Sequence, residues 1–436
     1  MLKIGNFNVS QSLYKYSQFN IEIEKRDNGD TYLFNSYTSR GRWIPDPELA
    51  AVKDKTLIDP GDVPQYLAEE QYIVPDDLDE YGRLQKEIYA TAHYSKALHF
   101  IITTTKACNY RCYYCFEARH LSNEKMQPET MDEIIDFIIQ KCKEKPDVKT
   151  ILLQWFGGEP LLHQEPIRYI TKNLREKYTG EHGITIRGNL TTNGRLLTPD
   201  LVDDMVSNYS IDSALITMDG MSKDYARIKG CSEEDFSAVI ENIKYAQEKL
   251  EVHIRLNLAD NLQSLKDFIA FFAKEKMKID IDISNIFDTS LSPGEYQDAY
   301  WLYTEDHKEL MKYITENGYS YLTGGGQKIP RTRVACKANT AWRYVIDIYG
   351  NLYRCIDMIM RPDYSIGNIR EGITNQEMER AFIENPLYEK CRSCAFLPMC
   401  LGKCTMERII EDKGIDCNTQ KKHITTCIKR AMKQIS

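Results

Sequence analysis

Three cysteines lie close together in one short stretch of the chain, at Cys108, Cys112 and Cys115. Their spacing, C-x3-C-x2-C, allows three thiolates to ligate three irons of a 4Fe–4S cube and leaves the fourth iron without a protein ligand. An iron of this kind is open to a further ligand and therefore to chemistry. The alternative is a structural zinc knuckle, although no histidine stands at zinc-site spacing beside these cysteines.

The cysteines follow an apolar, β-branched run that predicts a buried strand ending where the thiols begin. From this run onward, strand-like and helix-like patterns alternate, which predicts right-handed crossovers and a parallel sheet. Six runs have the strand pattern: residues 98–105, 150–156, 184–190, 213–218, 252–258 and 279–286. Six such units predict an α/β fold with a partial barrel, whose functional residues lie at the carboxyl ends of the strands. Ser232 and Asp235 are placed to cap the helix predicted at 236–250.

Glycines and polar residues occur where these strands end. Gly157, Gly158 and Glu159 follow the second strand, and glycine lets a backbone approach a ligand closely. Asn193 follows the third strand and Asn257 lies at the end of the fifth. Polar side chains at successive strand ends can converge on one ligand. Each position taken singly is also compatible with an ordinary solvated turn.

The chain has 13 cysteines, an odd number that does not suit a pure disulfide framework and that indicates metal binding in a reducing compartment. Cys142 falls on the apolar face of a predicted helix and is interpreted as a buried structural thiol, whereas Cys231 has no assigned role. Eight cysteines follow a glycine run at residues 324–326 that predicts a hinge: Cys336, Cys355, Cys391, Cys394, Cys400, Cys404, Cys417 and Cys427.

Composition restricts the class of protein. A formal charge of −8 over 436 residues argues against a nucleic-acid-binding surface. The first ten residues lack the pattern of a signal peptide, and no apolar run approaches membrane-spanning length. We therefore expect a soluble, cytoplasmic protein with no membrane and no nucleic-acid partner.

The leading part of the chain, residues 1–95, contains no cysteine. Alternation at residues 20–24, a turn at 27–30 and a second run at 31–34 predict a β-hairpin. An apolar helical face follows, formed by Leu78, Tyr81, Leu84, Ile88 and Tyr89. These patterns predict a small α+β domain, which is either a structural cap over the barrel or a site that binds a peptide by strand addition.

The cysteine loop, with the aromatic residue Tyr114 before its third cysteine, resembles the signature of radical S-adenosylmethionine (radical SAM) enzymes. The stretch from Gly157 to Pro160 resembles the GGEP motif of the same family, one β/α unit later. The resemblance implies a partial (β/α)6 TIM-type barrel that binds S-adenosylmethionine and a 4Fe–4S cluster. It implies cofactor contacts for six residues: Gly157, Gly158, Glu159, Asn193, Arg227 and Asn257.

Arg227 is expected to bind the methionine carboxylate of the cofactor, because its fork of donors suits bidentate recognition. It belongs to a segment that resembles the His-Asp-x-x-Arg segment of related enzymes. The sequence departs from that pattern at Lys223, which stands where histidine is usual.

The C-terminal cysteines resemble the seven-cysteine pattern of the SPASM domain. Thirteen residues separate Cys336 from Gly350, four more precede Cys355, and the spacing C-x2-C-x5-C-x3-C begins at Cys391. The resemblance implies two auxiliary 4Fe–4S clusters and hence three clusters in all. One cluster is expected to use Cys336, Cys355 and Cys404, and the other Cys391, Cys394, Cys400 and a last cysteine. Cys427 is favoured as that last ligand, so that Cys417 either completes the first cluster or stays free; a double zinc ribbon is the alternative.

Together the resemblances indicate a radical SAM/SPASM maturase of ribosomally synthesised peptides. They imply a winged-helix-like peptide-recognition domain at 1–95, a radical SAM barrel at 96–325 and a SPASM domain at 326–436. The expected reaction is a thioether or carbon–carbon crosslink formed after hydrogen abstraction by a 5′-deoxyadenosyl radical, with Asp357 as the candidate base. The expected partners are a precursor peptide with a leader sequence and an electron donor such as flavodoxin or ferredoxin. The alternatives are formylglycine formation of the anaerobic sulfatase-maturase type and, in another class, a non-catalytic iron–sulfur carrier or zinc scaffold.

Overall fold

The computed structural model of the chain describes residues 13–286, 304–323, 333–406, 408 and 417–435. These residues form two compact units. The barrel unit comprises the described residues within His93–Gly326 and Thr340–Ile383, and the flanking unit those within Met1–Ala92, Gln327–Asn339 and Glu384–Ser436. This division does not coincide with the predicted boundaries at 95 and 325, and the three-domain assignment stays a prediction. The predicted hinge at 324–326 lies outside the described residues.

Fifteen strands and fourteen α-helices lie within the described residues. The strands are β1 (Tyr14–Tyr16), β2 (Asn20–Lys25), β3 (Thr31–Asn35), β4 (Arg40–Ile44), β5 (Ile73–Pro75), β6 (Ala97–Thr103), β7 (Thr150–Phe156), β8 (Thr185–Thr192), β9 (Ile211–Met218), β10 (Glu251–Leu258), β11 (Ile279–Asn285), β12 (Arg343–Ile346), β13 (Asn351–Tyr353), β14 (Gly367–Asn368) and β15 (Gly372–Ile373). The helices are α1 (Asp46–Lys53), α2 (Tyr66–Glu69), α3 (Glu80–His93), α4 (Pro128–Glu144), α5 (Glu165–Leu174), α6 (Gly180–His182), α7 (Pro199–Tyr209), α8 (Ser222–Lys229), α9 (Glu233–Ala246), α10 (Leu262–Glu275), α11 (Glu305–Glu316), α12 (Gln376–Glu384), α13 (Leu397–Cys400) and α14 (Cys417–Ile435). From β6 to β11, strands and helices alternate as predicted.

Six parallel strands form the centre of the barrel unit, in the order β6–β7–β8–β9–β10–β11. Each predicted strand overlaps an observed one, with boundaries that differ by at most about two residues. The prediction of a parallel α/β sheet of the partial-barrel type is therefore confirmed. The sheet continues beyond β6, because β12 pairs with β6 in parallel and β13, β14 and β15 follow it in antiparallel order. Part of the cysteine-rich third of the chain thus belongs to the same sheet.

Side chains that alternate along the strands give this sheet an apolar face and a polar face. Ile151 and Trp155 of β7 are buried in the core that the strands share with the surrounding helices. Gln154, between them, points the other way. Its side chain makes contacts of 3.1 Å with His99 Nε2 on β6 and with Thr191 Oγ1 on β8. The face opposite the helices is therefore hydrophilic.

Helix α4 covers the apolar face and buries Met131, Ile134, Ile138 and Cys142. Burial raises the pKa of the Cys142 thiol to about 11. The prediction of a buried structural thiol at this position is confirmed. No helix among the described residues combines the length and the apolar character needed to cross a membrane.

The flanking unit contains an antiparallel sheet in the order β2–β3–β4 and a separate pair formed by β1 and β5. The connection from β2 to β3 is the predicted hairpin. Helix α14 packs against β2, where Ile424 and Ile428 share an apolar cluster with Ile21 and Ile23. Helix α14 therefore stabilises the unit that also contains the leading strands.

Helix α9 begins with reciprocal hydrogen bonds between Ser232 and Asp235. The Oγ of Ser232 accepts from Asp235 N at 3.2 Å, and the Asp235 carboxylate accepts from Ser232 N at 3.0 Å. Amides in the first turn of a helix have no partner within the helix, and this capping box supplies one. The predicted cap is confirmed.

Replacing Ser232 by alanine is expected to lower the free energy of unfolding by about 1 kcal/mol, because an amide at the start of α9 loses its acceptor. Thermal unfolding followed by circular dichroism measures the change. Ser207→Ala, at an exposed position of α7, is the matched control and should change stability little. Equal shifts in the two variants would contradict a stabilising cap.

Candidate active site

The three cysteines lie in the loop between β6 and α4, and their side chains are half-buried. Two hydrogen bonds give the loop its local shape: Tyr110 N donates to Cys108 Sγ at 3.4 Å, and Cys115 N donates to Cys112 O at 3.1 Å. The loop has no regular secondary structure over the cysteines. Contacts with other elements of the barrel unit must therefore hold the thiols in place.

Gly157 and Gly158 bring the end of β7 against the cysteine loop. Gly158 N donates to Thr105 O at 3.1 Å, and Glu159 N donates to Ala107 O at 2.8 Å. A Cβ on Gly157 would lie 2.4 Å from Thr105 O, and one on Gly158 would lie 2.5 Å from Ala107 O. The predicted close approach of the backbone at Gly157 and Gly158 is present. The part of the chain that these glycines approach is the cysteine loop. The predicted contact of both glycines with a cofactor stays a prediction.

The carboxylate of Glu159 is fully buried and links the end of β7 to the end of β8. It accepts hydrogen bonds from Leu161 N at 3.1 Å, from Thr192 Oγ1 at 2.8 Å and from Asn193 N at 2.8 Å. Burial raises the pKa of Glu159, and these three donors oppose that shift. Asn193 Nδ2 in turn donates to Asn109 Oδ1 of the cysteine loop at 2.8 Å. Glu159 and Asn193 therefore hold the cysteine loop in place through hydrogen bonds. Their predicted contacts with a cofactor stay predictions.

Lys229, the last residue of α8, was not among the residues predicted from sequence. Its Nζ lies 3.1 Å from the Asp219 carboxylate, 2.5 Å from Thr217 Oγ1 and 3.2 Å from the Tyr114 hydroxyl. Burial lowers the pKa of Lys229, but the charge interactions with Asp219 and with three further neighbours together hold the pKa above its ordinary value. The predicted residue Asn257 joins this group, because its Nδ2 donates to the Tyr114 hydroxyl at 2.8 Å. Charged and polar side chains therefore meet at the Tyr114 hydroxyl.

Arg227 lies on the same helix but takes part in a different set of contacts. Its guanidinium bonds the Asp224 carboxylate at 2.9 Å and the Asp260 carboxylate at 3.0 Å, and its side chain is 46% exposed. To bind a cofactor carboxylate it would have to leave both partners, and that role stays a prediction. The sequence signal for Lys229 was its position four residues after the buried Tyr225, on the apolar face of α8.

Asp357, the predicted base, lies in the 3₁₀ turn Ile356–Met358. The Cys355 thiol donates to Asp357 Oδ2 at 3.7 Å. Burial raises the pKa of Asp357, whereas the Cys355 hydrogen bond and the positive charge of Arg255 lower it. The role of Asp357 as a base stays a prediction.

A second group of thiols lies in the flanking unit. Burial raises the pKa of Cys391 and of Cys400, and the neighbouring Cys394 and Cys417 raise both further. These four thiols are thus close enough to act on one another. Cys427, in contrast, has its Sγ 3.8 Å from His423 Nε2. Because Cys417 and Cys427 share helix α14, they lie about 15 Å apart along its axis. The assignment of Cys427 as the last ligand, with Cys417 as the alternative, stays a prediction.

The cysteine loop suits an iron–sulfur cluster. Among the described residues, no three His, Cys, Asp or Glu side chains converge on a single metal ion, and a cube does not need such convergence because each thiolate ligates a different iron. Burial raises the pKa of Cys108 to about 11 and that of Cys115 to about 12, so binding must displace their protons. The buried Thr103 hydroxyl, at the end of β6, has no hydrogen-bond partner within the described residues. The end of the sheet at β6 therefore has both cysteine thiols and a buried hydroxyl without a partner among the described residues.

Residues 102–272 match the family described as the Radical SAM superfamily. They are a radical SAM domain. The match contains the cysteine loop and the strands from β7 to β10. Such a domain implies S-adenosylmethionine and a 4Fe–4S cluster as cofactors, for which Cys108, Cys112 and Cys115 are the ligands at hand. The prediction of a radical SAM enzyme is confirmed, in place of a non-catalytic carrier or scaffold.

The chain is similar to one curated protein and to two solved structures. The cysteine-type anaerobic sulfatase-maturating enzyme of Clostridium perfringens is 21% identical over 341 residues, which cover 72% of this chain and 90% of that protein. The structure of native anSMEcpe with bound AdoMet and Cp18Cys peptide has a TM-score of 0.58 at 18% identity and covers 78% of this chain and 100% of its own. Streptococcus suis SuiB has a TM-score of 0.51 at 17% identity and covers 93% of this chain and 96% of its own. At these identities the likeness establishes a shared fold.

Gly158→Ala is expected to lower cluster binding by about tenfold, because the new Cβ would collide with Ala107 O and displace the loop that carries the thiols. Iron and acid-labile sulfide per chain measure the loss. The variant Cys108→Ala/Cys112→Ala/Cys115→Ala gives the iron bound elsewhere in the chain, which is subtracted.

Gly183→Ala serves as the control for Gly158→Ala, because a Cβ at Gly183 would meet nothing within 4 Å. It should load the cluster fully, although its positive φ makes alanine somewhat unfavourable there. A Gly158→Ala protein with the full complement of iron would show that the contact with Ala107 does not hold the loop.

Proposed function

We propose that this protein modifies a ribosomally synthesised peptide by installing a thioether or a carbon–carbon crosslink. The observation that carries the proposal is the second thiol group, Cys391, Cys394, Cys400 and Cys417, in a chain that also has a radical SAM domain. Thiolate groups of this kind suit an auxiliary 4Fe–4S cluster. A crosslink removes two hydrogens from the peptide, so the enzyme needs an acceptor for the electron released as the new bond closes.

Aromatic side chains beside the cysteines support a peptide substrate. When bound, the cluster and S-adenosylmethionine supply a 5′-deoxyadenosyl radical, while the protein binds and orients the substrate and excludes water. Tyr113 and Phe116 expose their rings on the cysteine loop, and Phe116 stacks on Phe156 with the centroids 6.3 Å apart. Exposed aromatic rings suit contacts with peptide side chains. The fold relative anSMEcpe has been solved with a peptide bound, which is consistent with this use of the fold.

The flanking unit offers a place for the leader sequence of such a peptide. Strand β4 pairs with β3 on one side and, within the described residues, with no strand on the other. Arg40, Gly41 and Arg42 are exposed along it. A leader peptide can add to this edge through main-chain hydrogen bonds, and Arg40 favours acidic residues nearby, whereas Arg42 is paired with Glu70. The likeness to the SuiB fold takes in 93% of the chain.

The proposal includes two auxiliary clusters and an external electron donor of the flavodoxin or ferredoxin type. One auxiliary cluster uses the thiol group that contains Cys417. The other uses Cys336, Cys355 and Cys404, which the spacing of the sequence supports.

Formylglycine formation is the second candidate function. It is favoured by the match to the sulfatase-maturating enzyme of Clostridium perfringens, which extends over 90% of that protein. The same thiol groups and the same barrel serve either reaction. The two functions differ in their products, because formylglycine has an aldehyde and a crosslinked peptide does not.

Reduced enzyme, S-adenosylmethionine and the short peptide encoded beside its gene are expected to give a peptide that has lost two hydrogens per link. The physical reason is that each new bond replaces one hydrogen on each of the two joined atoms. Intact-mass and fragmentation spectra measure the loss and locate the link, and chromatography measures 5′-deoxyadenosine.

The control for this reaction is the Cys108→Ala/Cys112→Ala/Cys115→Ala variant, which should release no 5′-deoxyadenosine and leave the peptide unchanged. A product that reacts with a hydrazide probe would establish the aldehyde and therefore the second candidate. A wild-type enzyme that releases 5′-deoxyadenosine but leaves the peptide mass unchanged would contradict peptide modification.

Cys417→Ala is expected to reduce the bound iron by about four atoms per chain, because one auxiliary cube loses a ligand and is not retained. Cys427→Ala, on the same helix, is the matched control and should keep the iron of the wild type. Iron and sulfide analysis with Mössbauer spectroscopy measures both variants. The reverse result, with iron lost only in Cys427→Ala, would restore Cys427 as the last ligand.

A further inference from the structure

A complete ion pair is buried behind the cysteine loop. The side chain of Lys229 is 1% exposed and that of Asp219 is 0% exposed. Lysine and aspartate are rarely buried to this extent, and a buried pair contributes little net stability because both charges leave water. The position of the pair therefore calls for a reason other than stability of the barrel.

The pair is connected to the loop through one phenolic hydroxyl. Tyr114 lies between Cys112 and Cys115, and its hydroxyl donates to the Asp219 carboxylate at 2.9 Å. The same oxygen lies 3.2 Å from Lys229 Nζ. Asn257 Nδ2 adds a third contact at 2.8 Å. A residue between two cluster ligands is thus held by groups from the end of β9, from α8 and from β10.

The main chain at the end of α8 holds the same loop. Arg111 N donates to Lys229 O at 2.9 Å, and Tyr113 N donates to Ile228 O at 3.2 Å. Gly230 follows with φ of 61°, and a Cβ there would lie 2.9 Å from Arg111 O. The end of α8 therefore contacts the loop on both sides of Cys112, through the backbone and through the Lys229 side chain.

We propose that Lys229 is a positioning residue for the iron–sulfur cluster, which holds Tyr114 and thereby sets the geometry of the Cys112–Cys115 part of the loop. The ammonium group also places a buried positive charge 3.2 Å from the hydroxyl of Tyr114, which lies between two of the cysteines. A positive charge near a ligand thiolate stabilises the reduced cluster, which carries one more electron. The inference rests on the radical SAM domain and does not depend on the identity of the substrate.

Four variants of the full chain test the inference. Tyr114→Phe removes only the hydroxyl that joins the ion pair to the loop. Lys229→Met removes the ammonium group and keeps the length of the side chain, and Lys229→Met/Asp219→Asn removes both charges. Lys223→Met, at an exposed position of the same helix, is the matched control.

Three measurements are made on each variant after anaerobic reconstitution: iron and sulfide per chain, the electron paramagnetic resonance spectrum of the reduced protein with and without S-adenosylmethionine, and the midpoint potential. The Cys108→Ala/Cys112→Ala/Cys115→Ala variant supplies the signals of other clusters for subtraction. Thermal unfolding is recorded in parallel, so that a loss of stability is separated from a change at the cluster.

Tyr114→Phe and Lys229→Met are expected to weaken cluster binding by about tenfold and to alter the spectral change that S-adenosylmethionine causes. In Lys229→Met the ratio of reduced to oxidised cluster at a fixed solution potential should fall by about tenfold, which corresponds to about 59 mV for one electron. The double variant should recover most of that ratio, because the uncompensated carboxylate is gone. Lys223→Met should behave as the wild type.

A purely structural role predicts a different pattern. Lys229→Met would then unfold at a lower temperature, yet the cluster it retains would have the spectrum and the potential of the wild type. Tyr114→Phe decides the question if Lys229→Met does not fold, because it leaves the ion pair intact. Full cluster loading and an unchanged spectrum in Tyr114→Phe would overturn the inference.

Discussion

The main-chain contact between the end of β7 and the cysteine loop is the constraint on which the site depends. Gly158 N and Glu159 N donate to carbonyl groups just before Cys108, and the contact is possible only because both glycines lack a Cβ. Three thiols on an irregular loop have no helix or strand to set their spacing. Hydrogen bonds from a rigid strand end supply that spacing, so the sheet that the apolar pattern builds also determines where the thiols lie.

The carboxylate of Glu159 extends this constraint across the sheet. Burying a carboxylate is costly unless its oxygens are satisfied, and here three donors satisfy them. One donor belongs to Asn193, whose side chain returns to Asn109 in the cysteine loop. These hydrogen bonds connect the cysteine loop to the end of β7, β7 to β8, and β8 back to the loop. Such polar groups contribute more to position than to stability, because their hydrogen bonds mainly offset the cost of their burial.

The C-terminal part of the chain has little regular structure around its cysteines. Helix α14 packs on β2 through an apolar stripe, but the residues around Cys391 and Cys400 form only short helical turns. Segments with so little regular structure gain stability from ligated metal, since ligand binding and folding are then coupled. The first residue of α14 is Cys417, so the packing of this helix on β2 also fixes the position of that thiol.

Local patterns were sufficient for the strands, because the period of apolar residues depends on neighbours within a few positions; β7 was predicted to the residue at 150–156. The Ser232 cap and the buried Cys142 were predictable for the same reason. Residue type and spacing also indicated that Cys108, Cys112 and Cys115 suit a cluster. Tertiary structure alone decided what the two glycines contact, the engagement of Arg227 by Asp224 and Asp260, and the burial of Lys229 against Asp219. Each depends on residues distant in sequence that come into contact only when the sheet and its helices have packed. The spacing of apolar residues along the sequence contains no information about such contacts.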